Sequence, residues 1–213
     1  VEGTKLLCDR IAQLKYPPTA FISASAVGYY GSQGDQLLTE NSDNGTGFLA
    51  EVCREWENAS LPLEELGISR TLLRFGVILS TNGGALPKML APFKMYLGGK
   101  VGSGKQYMSW ISLRDAVKAL LFLIEKPEIT GPVNIPSPEP VTNATFTKYL
   151  GEVLKRPTLF PLPSPVAKIA LGEMAKELLL SSTRATPSKL LDSRFHFRHQ
   201  HLQTTLKEIL TPR

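Results

Sequence analysis

The sequence predicts an α/β protein built on a parallel sheet. Three observations carry this. Apolar runs near 19–22, 71–79 and 131–135 alternate with segments of helical periodicity, the pattern of strands joined by crossover helices. Thr71–Leu79 is apolar nearly throughout, as a strand covered on both faces must be. From about residue 136 such runs thin out. That divides the chain into a main part, 1–135, and a smaller α+β lobe, 136–213. A length of 213 residues, 42% apolar and 20% charged, suits one sizeable core with an appendage.

The elements follow in order. Leu6, Leu7, Ile11 and Leu14 keep a helical spacing, and nothing caps the start of that helix. A chain that opens inside a helix is expected to be a piece of a longer one. Tyr16-Pro-Pro18 stops the helix. Thr19–Ile22 is a strand, and 23–34 a small-residue turn. Asp35–Gly47 reads as a loop. Phe48, Val52, Trp56, Ala59, Leu63 and Leu66 mark one helical face, broken in two by Pro62 and closed by Gly67. After the strand Thr71–Leu79 come a helix, Ala85–Leu97, and a glycine loop, Gly98–Gly104. Tyr107–Ile111 is a short strand. Ser112 opens the next helix in the manner of a capping box, and Val117, Leu120, Leu121 and Ile124 form its apolar face. Gly131–Ile135 is a strand, Thr142–Leu154 a helix, Thr158–Leu162 a strand and Pro165–Leu180 an apolar helix. A polar loop then leads to a last helix at Leu202–Leu210.

Composition narrows the function classes. No apolar run approaches the ~18 residues that a spanning helix needs, and no leader pattern is visible. Two cysteines, Cys8 and Cys53, make no disulfide framework and fit a reducing compartment. A net charge of +5 and a pI near 9.2 permit a polyanion partner. Lys and Arg are scattered without aromatic interleaving, so nucleic acid is not the expected partner. His196, His199 and His201 lie in one short segment without nearby cysteines. They read as a solvated polar loop, and no metal is expected.

The functional centre is Ser23-Ala-Ser-Ala-Val-Gly-Tyr-Tyr-Gly31. Small residues at a strand's carboxyl end let a ligand approach the backbone, and ligands of open α/β sheets bind at that end. Ser25, Tyr29 and Tyr30 supply hydroxyl and phenol groups there.

These motifs resemble the later part of an extended short-chain dehydrogenase/reductase. More closely, the chain resembles the atypical NAD(P)-dependent epimerase-like family, also described as cell-division-inhibitor-like. Ser23–Gly31 is followed by Phe48-Leu-Ala-Glu-Val-Cys-Arg-Glu-Trp-Glu57, Leu73-Arg-Phe-Gly-Val-Ile-Leu79, Gly83-Gly-Ala-Leu86 and Gly102-Ser-Gly-Lys-Gln106. Ser109-Trp-Ile111, Pro138-Glu-Pro-Val-Thr-Asn143 and Leu171-Gly-Glu-Met-Ala175 complete the order. The resemblance implies a Rossmann-type doubly wound sheet whose first half, with its glycine-rich pyrophosphate turn, does not occur in 1–213. It implies NADP as cofactor, with NAD as the second choice. Ala26 and Val27 are then expected under the nicotinamide, Cys53 at the ribose, and Phe75, Gly76 and Val77 beside the carboxamide.

The family's proton-transfer pair, Tyr-x-x-x-Lys, falls on Leu49 and Cys53, leaving Ser25, Tyr29 and Tyr30 as the catalytic candidates. The arginine that binds a sugar diphosphate in related epimerases falls on Met108. Three readings are carried: an epimerase-like oxidoreductase acting on an unknown small molecule, a catalytically impaired nucleotide-binding or division-related interaction module, and, on the pI alone, a nucleic-acid-binding protein. The other expectations are a homodimer as the candidate assembly, no membrane, and a cytoplasmic or plastid location.

Overall fold

The structure, a computed structural model, describes residues 1–163 and 180–211. Helix α1 (Glu2–Ala12) leads into strand β1 (Ala20–Ala26). A single 3-10 turn, Val27–Tyr30, and a two-residue strand β2 (Leu37–Leu38) follow. Next come α2 (Phe48–Asn58), α3 (Pro62–Glu65), β3 (Ser69–Phe75), β4 (Val77–Leu79) and α4 (Ala85–Lys94). Then come β5 (Tyr107–Met108), β6 (Trp110–Ser112), α5 (Leu113–Glu125), β7 (Gly131–Ile135), β8 (Val141–Thr142) and α6 (Asn143–Leu154). The described remainder holds β9 (Arg184–Ala185), α7 (Ser188–Asp192) and α8 (Leu202–Leu210).

The main sheet is parallel, in the order β1-β3-β7. Its register aligns Ser25 with Arg74 and Arg74 with Asn134. One step on, Ala26 aligns with Phe75 and Phe75 with Ile135. The apolar run Thr71–Leu79 is not one strand. It breaks at Gly76, and β4 leaves β3 to pair with β6. A Cβ at Gly76 would lie 2.8 Å from the Ser109 carbonyl oxygen, so only a bare backbone passes there. The predicted strand Tyr107–Ile111 is likewise split, because β5 pairs with β8 while β6 pairs with β4.

Helix starts follow their caps. The Ser112 hydroxyl accepts the Asp115 N–H at the start of α5, and Thr142 accepts the Thr145 N–H at the start of α6. Burial departs from the apolar faces expected. On α5 the buried positions are Asp115, Ala116, Ala119 and Leu123, while Val117, Leu121 and Ile124 stay exposed. On α1 only Cys8 and Ile11 are buried, with Leu6 and Leu7 exposed, as is Leu14 just beyond its end. Two alanines turned inward on α5 leave little side chain between helix and core, which makes that side its packing face.

One buried cluster joins Leu79, Leu86, Trp110, Phe146, Leu150, Leu202 and Leu206. It spans both sides of residue 136. Thr158–Leu162 is not a strand, its pairing being a single bridge from Leu162 to Val101. The segment expected as one polar loop before Leu202 contains β9 and α7, and Asp35–Gly47 contains β2. The helix expected at Pro165–Leu180 lies outside the described residues but for its last residue. Among the described residues no helix is long and apolar enough to cross a membrane.

Candidate functional site

The carboxyl ends of β1 and β3 open onto one cleft of about 390 Å³. Ala26, Val27 and Gly28 line it beside Phe75, Gly76 and Val77, with Leu49, Met89 and Met108 among the other apolar groups of the lining. Five of the six residues expected at the cofactor therefore share this cleft. The sixth, Cys53, lies behind it: a Cβ on Gly28 would stand 3.7 Å from its sulfur. Burial pushes the Cys53 thiol up, chiefly by desolvation, against the Ala26 backbone hydrogen bond. It is a protonated packing group.

Ser25, Tyr29 and Tyr30 do not line the cleft. Ser25 and Tyr30 belong to a polar network buried behind it, against which the half-buried Tyr29 ring packs. The Ser25 hydroxyl donates to Glu57 Oε1 at 2.6 Å. Arg74 grips the same carboxylate with two bonds, Nε to Oε1 and Nη2 to Oε2, each 2.8 Å. Its Nη1 donates to the Tyr30 phenol oxygen at 2.9 Å, and that phenol donates to Asn134 Oδ1 at 2.7 Å. The guanidinium also sits 3.4 Å from the Tyr29 ring centroid. Asn134 donates from its side chain to the Thr186 carbonyl and from its backbone to Glu40 Oε1.

Tyr30 is fully buried, and burial raises its pKa despite the neighbouring Arg74 cation. Burial would lower the Arg74 pKa, but the bonds to Glu57 and Tyr30 outweigh it and hold the group charged. Tyr30 is thus a clamp on Arg74, with no route to a ligand in the cleft.

The geometry has local causes. Leu49, Cys53 and Glu57 recur every four residues, so α2 presents all three on one face toward β1. The turn after β1 closes because Gly45 N–H donates to the Tyr29 carbonyl. A Cβ at Gly45 would come within 2.0 Å of Tyr30 O, so no other residue fits. Arg74 and Asn134 were not singled out from the sequence. The signal in the sequence is an arginine inside the apolar run Thr71–Leu79, a placement that requires a buried partner.

The histidines separate. His196 Nδ1 faces the Arg194 carbonyl, and His201 Nδ1 faces Glu139. His199 is buried, contrary to the solvated loop expected. It bonds Ser112 Oγ at 2.8 Å and Glu208 Oε2 at 3.1 Å, while its own N–H donates to Asp115. Among the described residues no group of three His, Cys, Asp or Glu side chains is placed to hold a metal.

A parallel sheet fed by crossover helices, with a ligand-sized cleft at its carboxyl end, defines a Rossmann-type α/β protein. Comparisons with known proteins carry this further. The chain is 49% identical over 185 residues to an epimerase family protein of Mycobacterium bovis, covering 87% of this chain and 62% of that protein. It is 35% identical to the Bacillus subtilis epimerase family protein YfhF, across all of this chain and 70% of that one. The crystal structure of human epimerase family protein SDR39U1 with NADPH superposes with a TM-score of 0.90 at 32% identity, covering 98% of this chain and 70% of that one. Residues 162–209 match a domain of unknown function, DUF1731. The chain belongs to the epimerase family of short-chain dehydrogenase/reductase-like proteins. It spans 62% of the length of its mycobacterial relative.

Proposed function

We propose that the full-length protein binds NADPH as an epimerase-like short-chain dehydrogenase/reductase, and that this chain supplies the wall for the nicotinamide end. One observation carries the reading: Ala26–Gly28 after β1 and Phe75–Val77 after β3 face a single cleft at the sheet's carboxyl end. Small side chains and bare backbone fit a flat ring lying close against them. The NADPH of the human relative supports NADP over NAD. No glycine-rich pyrophosphate turn occurs in 1–213, so only the contacts of the nicotinamide end are asked of this chain.

When bound, the dinucleotide supplies hydride chemistry. The chain's own residues hold the ring and exclude water. Proton handling differs from that of typical reductases. Leu49, which stands where the resemblance puts the tyrosine, has no proton to move, and Cys53 in the lysine position is buried and protonated. Ser25 has committed its own proton to Glu57. The substrate is a small molecule whose chemistry does not depend on that pair. These same replacements favour a second reading, a module that binds the cofactor without turnover.

The test is a titration of the full-length protein with NADPH and NADH, following nicotinamide fluorescence. NADPH should bind the more tightly, and Val27→Trp should weaken it by at least about ten-fold, a loss of about 1.4 kcal/mol. Failure to bind either nucleotide would sink both readings. Steady NADPH consumption with a small carbonyl substrate would favour the enzyme over the module.

A further inference from the structure

We propose that the surface formed by the end of α4 and the segment after α6 rests on an anionic lipid bilayer, holding the protein at a membrane face without spanning it. This does not depend on the cofactor reading. It departs from the expectation of no membrane, which rested on the lack of a spanning run.

Two stretches far apart in sequence make this surface. The Val101–Leu162 bridge joins them, with the Leu162 N–H donating to the Lys100 carbonyl and the Gly102 N–H to the Leu162 carbonyl, each at 2.9 Å. The Arg156 guanidinium stacks 4.1 Å from the Tyr96 ring centroid and donates to its phenol oxygen. Met95, Tyr96, Leu97, Leu159 and Phe160 are each between 51% and 75% exposed here. Scattered exposed apolar groups are ordinary, but five on two adjoining segments make a patch that calls for a partner. Tyr96 is also held under strain. It has φ +63 just past α4, where the Leu97 N–H returns to the Pro92 carbonyl. Glycine ordinarily takes that left-handed position. Gly98 and Gly99 follow at once, yet the strained position holds an exposed aromatic ring.

Charge complementarity selects the occupant. Residues 81–114 contain no Asp or Glu, and within them Lys94 and Lys100 flank the exposed run Met95–Leu97. Lys148, Lys155 and Arg156 line a shallow depression of about 440 Å³ on the α6 side. Lys94, Lys100, Lys148 and Lys155 pair with no carboxylate among the described residues. The one acid of the depression, Glu152, accepts from Gln203 instead. Apolar tips ringed by cations suit the bilayer interface. The tips enter the acyl boundary while the cations meet lipid phosphates. None of the five tips lines either cleft, so they suit a fluid phase better than a helix gripped in a groove.

The experiment is flotation of the full-length protein with lipid vesicles. Phosphatidylcholine vesicles with roughly a third phosphatidylglycerol should carry the protein, and phosphatidylcholine alone should bind it at least about ten-fold more weakly. High salt should weaken the first binding. Leu159→Ser with Phe160→Ser, and separately Lys94→Glu with Lys148→Glu, should each lose about ten-fold or more. These four side chains are exposed, so the urea midpoint should hold; should one pair lower it, the other decides. Tyr96→Gly relieves the left-handed residue, so it should unfold no earlier than the parent while binding vesicles several-fold more weakly. Poly-L-glutamate carries the charge without an apolar phase and should bind at least about ten-fold more weakly than the anionic vesicles. No binding to anionic vesicles, or undiminished binding by the variants, overturns the proposal. Equal binding of poly-L-glutamate would give the surface to an acidic protein. Self-association without lipid, abolished by the serine pair, would give it to a second copy. Either result also overturns the proposal.

Discussion

Two adjacent rows of residues cross the same three strands and differ completely in character. Ser25, Arg74 and Asn134 form one row, and Ala26, Phe75 and Ile135 the next. Successive side chains of a strand point to opposite faces, so one step along the sheet separates a charged interior from a largely apolar cleft. The first row meets Glu57 and Tyr30 and is locked by hydrogen bonds. The second puts Ala26 and Phe75 on the cleft wall. The residues with reactive side chains are thus spent on holding strand ends in place. The bland ones line the cleft.

The largest blow to this contrast would be removal of one charge. Arg74→Met leaves Glu57 buried with only the Ser25 hydroxyl, and should cost about 3–5 kcal/mol in urea unfolding of the full-length protein. The double variant Arg74→Met with Glu57→Leu should recover much of that loss. A double variant as unstable as the single one would show that the row holds the strands by more than its charges.

Gly76→Ala comes next. Its methyl would press on the Ser109 carbonyl where β3 turns into β4, and should cost about 1–3 kcal/mol. Because Gly76 lines the cleft, NADPH affinity should fall with it. Ser25→Ala sharpens the comparison from the other side. Losing a bond to a carboxylate should cost about 1.5–3 kcal/mol at most, yet NADPH affinity should not move. A large loss of affinity in Ser25→Ala would put that hydroxyl in the ligand site after all.

The smallest effect expected is a pH dependence far from both rows. The His199 hydrogen bond and the Arg198 cation hold the Glu208 carboxyl below its usual range. A carboxylate with a depressed folded pKa adds stability above its unfolded pKa and loses it as pH falls through the folded one. Docking of α8 should therefore weaken on acidification below the normal carboxylate range. Glu208→Gln should flatten that part of the profile, as read by amide exchange along α8.

Much of the fold was legible because it rests on local rules. Periodicity, the proline stops and the hydroxyl caps placed the central strands and most helices within a few residues. What failed was orientation. Val117, Leu121 and Ile124 make a convincing apolar face on α5, yet the core takes Ala116, Ala119 and Leu123 instead. A period of 3.6 says that a stripe exists, not which stripe has a neighbour. Hydropathy read Thr71–Leu79 as one strand because it cannot see the Ser109 carbonyl that passes over Gly76.

The candidate site divides in the same way. The sequence by itself determined that a strand ends in small residues at 23–31, that an apolar strand runs from Thr71, and that the helical segment 48–66 holds neither Tyr nor Lys. These are facts of residue type and order. Only the tertiary structure decided which hydroxyls face the cleft. Glu57 is 32 residues from Ser25 and Asn134 is 104 from Tyr30, and their hydrogen bonds turn Ser25 and Tyr30 away from the cleft. A buried charge must find its partner wherever the fold brings one, and that pairing carries no signature in the order of the residues.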